Sequence, residues 1–338
     1  MSRYSRQELF AGIGRHGQER LRRSRVAVVG CGALGSVLAE IMVRAGVGTL
    51  TVVDRDFVEE SNLQRQGLFD EDDAARGLPK AAVAQTKLRR INSDVSVRGI
   101  VADLSVENAD DILKGTSLVL DGTDNFETRF LVNDLCVRDG IPWVYGACVG
   151  SYGLALLVRP KITPCLRCVL EEMPPPGSGP TCDTAGVVAP IVHVIAGIQA
   201  GEALKALGGR TEDLLPGIVT VDLWQGVFEV LDLTRRAPSC PACTEGRFDH
   251  LVPGPAGGAA FLCGRDAVQI RPPRGSHVDL GALAGRLAAV GDVSANEYLV
   301  RFSSDDADLV VFGDGRAILR GVRDPAQART LYAKYVGS

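Results

Sequence analysis

The sequence holds no uninterrupted apolar run of the roughly 18 to 20 residues that a membrane-spanning helix needs, so no membrane partner is expected. It lacks an excess of positive charge: 37 Lys and Arg against 41 Asp and Glu leave a net charge of -4. Nucleic acid is therefore not expected as the main partner, although a small basic patch fits that balance. Residues 1–10 are polar and charged and lack the apolar stretch of a secretory leader. There is no even cysteine framework either. The nine cysteines include two C-x-x-C pairs, which points to a cytoplasmic metal or thiol protein rather than a secreted disulfide scaffold. Internal repeats and low-complexity tails are also missing.

What is present is a chain of 338 residues, 46% hydrophobic, enough for one large domain with a well-buried core and a smaller second one. Apolar strand-like runs at 25–29, 49–53, 95–101, 117–120, 142–147 and 152–158 alternate with helical stretches at 33–46, 79–91, about 105–113 and 126–139. That alternation specifies an α/β fold with a doubly wound, Rossmann-like, mostly parallel sheet. After the Pro/Gly loop at 174–180 come an apolar helix at 188–207 and strands near 217–223 and 227–233. The Pro/Gly/Ala-rich stretch 251–260 reads as a linker between a domain at 1–250 and a small α+β domain at 261–338. The latter is expected as strand 267–270, helix 279–289, strands 297–303, 308–312 and 315–320, and helix 324–335, with Gly313-Asp314-Gly315 as a hairpin turn.

Gly30-Cys31-Gly32-Ala33-Leu34-Gly35 follows the run Val26–Val29, and Asp54 closes the next apolar run. A glycine loop before a helix offers backbone N–H groups to phosphate oxygens, and an acid about 20 residues on accepts from a ribose. A tight strand-to-helix turn explains the glycines equally well. The cluster Ser61-Asn62-Leu63-Gln64-Arg65-Gln66, with Lys80 beyond it, tips the balance. Arg65 suits bidentate phosphate binding and Lys80 adds a point charge. Hydride transfer needs no such cluster, whereas holding a nucleoside triphosphate does. Asp121-Gly122-Thr123-Asp124-Asn125 follows a buried run, where ligands of open α/β sheets sit. Asp124 is placed to support Mg²⁺ on a triphosphate, to cap the helix starting near Phe126, or both.

Cys165-Leu166-Arg167-Cys168 and Cys240-Pro241-Ala242-Cys243 supply the four thiolates of a closed, structural Zn²⁺ site; a redox pair is the alternative. Cys182, near a helix start after the Pro/Gly loop, is a candidate reactive thiol or a partly buried loop cysteine. Cys31, Cys136, Cys148 and Cys263 read as buried packing residues. His193 and Trp224 read as core residues, as does Trp143.

Arg3-Tyr4-Ser5-Arg6-Gln7, the glycine loop, Ser61–Gln66, Pro79-Lys80, Thr123-Asp124-Asn125 and the paired C-x-x-C motifs stand in one order over residues 3–245. Together they resemble the ThiF/MoeB/HesA family, the bacterial relatives of ubiquitin-activating enzymes. The resemblance implies an adenylyltransferase that uses ATP and Mg²⁺ to activate the C-terminal glycine of a small ubiquitin-like sulfur carrier ending in Gly-Gly, for thiamine or molybdopterin synthesis. It implies that the loop around Gly30, Gly32, Ala33 and Gly35 lies under the phosphates and that Asp54 binds the ribose. Asn62, Arg65 and Lys80 would hold the phosphates, Ser61, Leu63, Gln64 and Asn125 would join them in binding the cofactor, and Asp124 would support Mg²⁺ and the reacting carboxylate. Arg6 resembles an arginine that reaches into the other subunit's site, which implies a homodimer. Cys182 would accept the activated carrier covalently, with a cysteine desulfurase or another donor providing sulfur.

The segment 261–338 departs from the minimal family plan and, with no cysteine after Cys263, does not look like a rhodanese domain. It resembles a tail on longer bacterial members and is expected to dock the carrier or stabilise the dimer. Two rival readings stay open at this level: an adenylyltransferase acting on another carboxylate, such as that of a modified tRNA base or a peptide, and an NAD-binding dehydrogenase or nucleotide sensor. Arg65, Lys80 and Asp124 speak against the last.

Overall fold

Val26–Val29 and Leu118–Leu120 are buried on both faces, as parallel strands covered by helices on each side must be. The computed structural model describes residues 3–175, 179, 181–233, 237–252, 259–262, 267–272, 275–322 and 324–337. They fall into two compact units, Met1–Pro175 with Ala185–Val252, and Pro176–Thr184 with Pro253–Ser338.

The first unit runs α1 (Ser5–Leu9), α2 (Gly14–Arg23), β1 (Arg25–Val29), α3 (Ala33–Ala45), β2 (Thr49–Asp54), α4 (Glu71–Ala75) and α5 (Lys80–Ile91). It continues through β3 (Ser96–Val101), α6 (Ala109–Leu113), β4 (Leu118–Asp121), α7 (Phe126–Asp139), β5 (Trp143–Val149), β6 (Tyr152–Val158) and α8 (Leu166–Val169). After the short α9 (Cys182–Ala185), whose residues up to Thr184 belong to the second unit, the first unit resumes with α10 (Ala189–Gly208), β7 (Gly217–Asp222) and β8 (Val227–Asp232). The strands form one eight-stranded sheet in the order β3-β2-β1-β4-β5-β6-β7-β8. From β3 to β5 all neighbours are parallel, and from β5 to β8 all are antiparallel. Val26 and Val28 face a core shared with Leu38 and Met42 of α3 and Ile195 of α10. Ala27 and Val29 face the opposite core, with Phe130 and Leu135 of α7. Alternate strand residues thus feed two helical layers, which is what doubly wound means in packing terms.

Helix α6 is shorter than the sequence suggests. The Asn108 side chain accepts from Ser105 N–H (2.9 Å) and donates to Asp103 O (2.8 Å), so residues 105–108 form a side-chain-closed turn and the helix starts only after it. His193 is exposed, not core: α10 is apolar on most of its circumference, but its buried positions Ile191, Val192, Ile195, Ala196, Gln199 and Ala203 leave residue 193 facing outward. Trp224 is 80% exposed at the β7–β8 turn, also against expectation. Cys31 and Cys136 are buried and Cys148 is half-buried, while Cys263 lies outside the described residues.

The second unit contains β9 (Ala259–Leu262), β10 (Ala267–Ile270), α11 (Leu280–Leu287), β11 (Asp292–Ala295), β12 (Leu299–Ser303), β13 (Asp308–Phe312), β14 (Ala317–Arg320) and α12 (Pro325–Tyr335). Its six strands pair antiparallel throughout in the order β11-β12-β13-β14-β10-β9. Leu283 and Leu287 of α11 and Ala328 of α12 share a core with Val268, Phe302, Leu309 and Leu319. Gly315, with φ +81°, turns the chain between β13 and β14. Strand β9 begins inside the expected linker, and the edge strand β11, largely exposed, carries too little apolar alternation to stand out in sequence.

No helix among the described residues is long and apolar enough to cross a membrane.

Candidate functional site

The glycine loop joins β1 to α3 in contact with the loop after β4. Gly30 has φ +83°, and a Cβ there would lie 2.7 Å from Gly122 O; one on Gly35 would lie 1.8 Å from Gly30 O. Gly32 differs. A Cβ on it would meet nothing nearer than Gln66 Nε2 at 3.8 Å and Gly122 O at 3.9 Å, so its bareness is not demanded by the protein's own packing. At the end of β2, Asp54 is buried; its Oδ2 accepts from Cys31 N–H (2.5 Å) and its Oδ1 from Asp56 N–H (2.7 Å). Burial raises the Asp54 carboxyl above its ordinary range, opposed chiefly by the charge of Lys80.

Lys80 opens α5 almost wholly buried, with Nζ 3.6 Å from Asp56 Oδ2 and its backbone N–H on Asp56 O (2.9 Å). A buried ammonium is held only where anions face it, and here they sit at the β2 carboxyl end. The preceding loop forms a short 3₁₀ turn, Glu60–Asn62. Asn62 is buried, with Oδ1 accepting from Glu59 N–H (3.2 Å) and its carbonyl from Arg65 N–H and Gln66 N–H (3.1 and 3.0 Å). Arg65 is half-buried and donates from Nη1 to Ser61 O (2.8 Å). Ser61 and Gln64 are exposed, and Leu63 packs into the α3–α10 core. Gln66 is buried, and its Oε1 finds no hydrogen-bond partner among the described residues. Its Nε2 is the group beside the bare face of Gly32, 3.8 Å from where a Cβ would stand.

After β4, Asp121 is the anchor. Its Oδ1 accepts from the N–H and Oγ1–H of Thr123 (2.9 and 2.7 Å), and its Oδ2 from Arg129 Nε (3.1 Å). Arg129 donates from Nη2 to Thr123 O (2.7 Å) and Gly146 O (3.0 Å) and lies over the rings of Phe126 and Tyr145. Burial alone would lower its basicity, but Asp121, Tyr145 and Asp124 carry it above the ordinary value. Asp124 is exposed on this loop. The side-chain cap of α7 is Asn125 instead, whose Oδ1 accepts from Thr128 N–H (2.9 Å), so a capping role for Asp124 is set aside. Gly30, Gly32, Asp54, the 62–66 turn, Lys80 and Asp124 therefore gather at the carboxyl ends of β1, β2 and β4, the ligand-binding edge of an open α/β sheet. Asp121, Arg129 and Gln199 of α10 build this edge from beneath; the contacts that join them, Arg129 to Asp121 and Gln199 to Asp121 O, span 8 and 78 residues and leave no local signature.

The two C-x-x-C pairs meet. The Sγ atoms of Cys165, Cys168, Cys240 and Cys243 lie within 4.8 Å of one another, at 3.3 Å for Cys168–Cys243, 3.6 Å for Cys165–Cys240 and 4.0 Å for Cys165–Cys168. A tetrahedral Zn²⁺ with Zn–S near 2.3 Å spaces its sulfurs by about 3.8 Å, so the quartet fits a closed zinc site. Arg167, between the first pair, is buried and braces the knuckle through Asp134 Oδ2 (3.3 Å), Asp249 Oδ2 (3.0 Å) and Arg247 O (3.2 Å). Asn133 Oδ1 accepts from Leu166 N–H (2.9 Å), tying the same knuckle to α7.

Arg6 lies far from these groups. Tyr4 is buried, its hydroxyl accepts from Asn92 Nδ2 (2.8 Å), and a Cβ on Gly46 would lie 2.4 Å from its ring. Gln7 donates from Nε2 to Gln18 Oε1 (2.6 Å) and Ala45 O (2.9 Å). Helix α1 is thus pinned at the C-terminal end of α3, and Arg6, Leu9 and Phe10 point to solvent. Cys182, half-buried, is the first residue of the four-residue α9 and belongs to the second compact unit.

The sequence model of the ThiF family matches residues 4–242. The sulfur carrier protein ThiS adenylyltransferase of Bacillus subtilis is 48% identical over 337 residues, covering 99% of each chain. The sulfur carrier protein adenylyltransferase of Thermus thermophilus is 42% identical over 248 residues, covering 72% of this chain and 90% of its own. Among solved structures, E. coli MccB with MccA-N7isoASN aligns with a TM-score of 0.63 at 25% identity, covering 72% of this chain and 74% of its own.

Proposed function

The chain belongs to the ThiF family, and on that premise we propose that it transfers AMP from ATP to the C-terminal carboxylate of a small sulfur-carrier protein. The observation that carries the reading is the edge on which the bare face of Gly32, the buried Asp54, Lys80 and the Asp124 loop converge. Residues of this type hold a triphosphate: backbone N–H groups and the α3 N-terminus take phosphate oxygens, Arg65 and Lys80 add positive charge, and Asp54 takes the ribose. Mg²⁺ supported by Asp124 supplies further charge to the phosphates when bound.

The carrier carboxylate attacks the α-phosphorus; an O–P bond forms, the bond to the bridging oxygen breaks, and pyrophosphate leaves with that electron pair. Two anions meet in this step. Positioned cations and N–H dipoles offset their repulsion and stabilise the charge that grows on pyrophosphate, and no covalent protein intermediate is needed.

Arg6 acts from a second copy of the chain. Helix α3 has 13 residues, about 20 Å at 1.5 Å per residue, and separates the Tyr4–Gly46 anchor from the glycine loop. Gln7, the next residue, is held at that same end by Ala45 O, so Arg6 starts a helix length away from the loop of its own subunit. A symmetric dimer would bring it to the partner's site. A closed Cys₄ zinc site holds the β8-proximal loop to α8 and takes no part in the chemistry.

The Bacillus relative aligns across the C-terminal unit as well, which favours a ThiS-type carrier. The testing experiment is ATP–pyrophosphate exchange with purified carriers ending in Gly-Gly, each present or omitted. Exchange that depends on the ThiS-type carrier is expected. Bound ATP with no exchange for any carrier would leave only a nucleotide site and a different acyl substrate.

A further inference from the structure

The ladder between β4 and β5 is short. It pairs only Val119 with Trp143 and Leu120 with Val144, although β5 runs on to Val149 beside β6. Where it stops, two side chains from opposite helical layers bridge the strands. From the α7 side, Arg129 links Asp121 Oδ2 and Thr123 O to Gly146 O. From the α10 side, Gln199, fully buried, donates from Nε2 to Asp121 O (2.9 Å) and Val144 O (3.2 Å). The fit against β5 is tight: a Cβ on Gly146 would lie 2.3 to 2.4 Å from all three amide heavy atoms of Gln199. Among the described residues the Gln199 Oε1 finds no hydrogen-bond partner, so the side chain is kept there at the cost of a buried acceptor.

We propose that Gln199, seated against Gly146, is a positioning residue for adenylyl transfer: it fixes the carboxyl end of β4, and so sets the Gly122–Asp124 loop against the glycine loop. The inference rests on the adenylation reading above. The carbonyl Gln199 holds belongs to Asp121; the next residue, Gly122, touches Gly30, and Asp124 lies three residues on. Without the amide, two buried carbonyls lose a donor and the loop loses its reference point. A shift of about 1 Å at reacting groups costs up to a hundredfold in rate, whereas ATP binding draws on the glycine loop, Asp54, Arg65 and Lys80, which Gln199 does not touch.

The test is Gln199→Met, which keeps length and apolar volume and removes the donor, with Gln199→Asn as a second variant whose amide is too short to span both carbonyls. Full-length protein is assayed by carrier-dependent ATP–pyrophosphate exchange, and competent sites are counted by equilibrium ATP binding. Wild type must exchange first; a wild type that binds ATP without exchange counts against the adenylation reading, before any variant is judged. The expected result is turnover per ATP-binding site reduced about tenfold to a hundredfold with KM for ATP within about twofold of wild type, and a smaller loss for Gln199→Asn. Wild-type turnover per binding site in either variant would overturn the proposal. So would a loss of activity that only matches the loss of ATP-binding sites, because Gln199 would then serve the fold alone.

Discussion

Gly32 and Gly35 separate a phosphate-binding loop from a tight turn. In Gly35→Ala the new Cβ meets Gly30 O at 1.8 Å, so backbone must recede by at least 1.2 Å to reach 3.0 Å. Overpacking of that kind costs about 1–3 kcal/mol and distorts the loop, so both Tm and ligand binding fall. In Gly32→Ala the new Cβ makes only ordinary contacts, at 3.8 and 3.9 Å, and Gly32 lies outside the left-handed region with φ -82°. Stability should change by less than about 1 kcal/mol, a Tm shift of a few degrees at most. The methyl group, however, occupies the face over which phosphate oxygens would approach. Losing one backbone hydrogen bond to a charged phosphate is worth about 1.5–3 kcal/mol, a weakening of ATP binding by about tenfold to a hundredfold. The assay is a thermal melt paired with calorimetric titration of ATP·Mg²⁺ on wild type and both variants. A Gly32→Ala protein that melts like wild type and binds ATP like wild type would refute the reasoning, since the glycine would then serve only the turn.

Subunits carrying Arg6→Ala and subunits carrying Asp124→Ala should each be inactive alone; if Arg6 acts in trans, mixing them restores roughly a quarter of wild-type exchange, because half the dimers then hold one intact site. No recovery after verified subunit exchange would place Arg6 outside the partner's site. Cys240→Ser should lower the bound zinc measured by elemental analysis from one per chain and reduce Tm, since metal binding to a four-cysteine site contributes folding energy; a metal-free wild type with unchanged Tm would contradict a structural role. Cys182→Ala should leave ATP–pyrophosphate exchange intact while blocking later transfer of sulfur to the carrier; loss of exchange would mean that the thiol is needed before adenylation.

Much of the edge that carries the candidate site is legible because its signals are local. A glycine loop between an apolar strand and a helix, and an acid at the end of the next strand, lie within 25 residues of one another, and buried parallel strands such as Val26–Val29 read as solid apolar runs. The knuckles were legible for another reason: thiolates in pairs have few other uses in a chain of this composition. What was not legible is the support. Gln199 reads as one polar residue on an apolar helix, and only the close approach of Gly146, 53 residues earlier, gives it a task. Arg129 looks like a helix-surface arginine until Asp121 and Gly146 O enclose it. Asp124 and Asn125 are adjacent and both good caps, and only the backbone decides that Asn125 takes the place. The exposure of His193 and Trp224 is not legible either, because apolar neighbours in sequence do not fix which way a residue faces on a long helix or at a hairpin tip.

The most direct measurement is the intact mass of a purified ThiS-type carrier after incubation with this protein, ATP and Mg²⁺, beside the same carrier bearing a C-terminal amide. The account predicts that the free-acid carrier gains the mass of one AMP, less water, and that the amide form gains nothing. An unmodified free-acid carrier, with ATP bound and the carrier's terminal glycine intact, would contradict it.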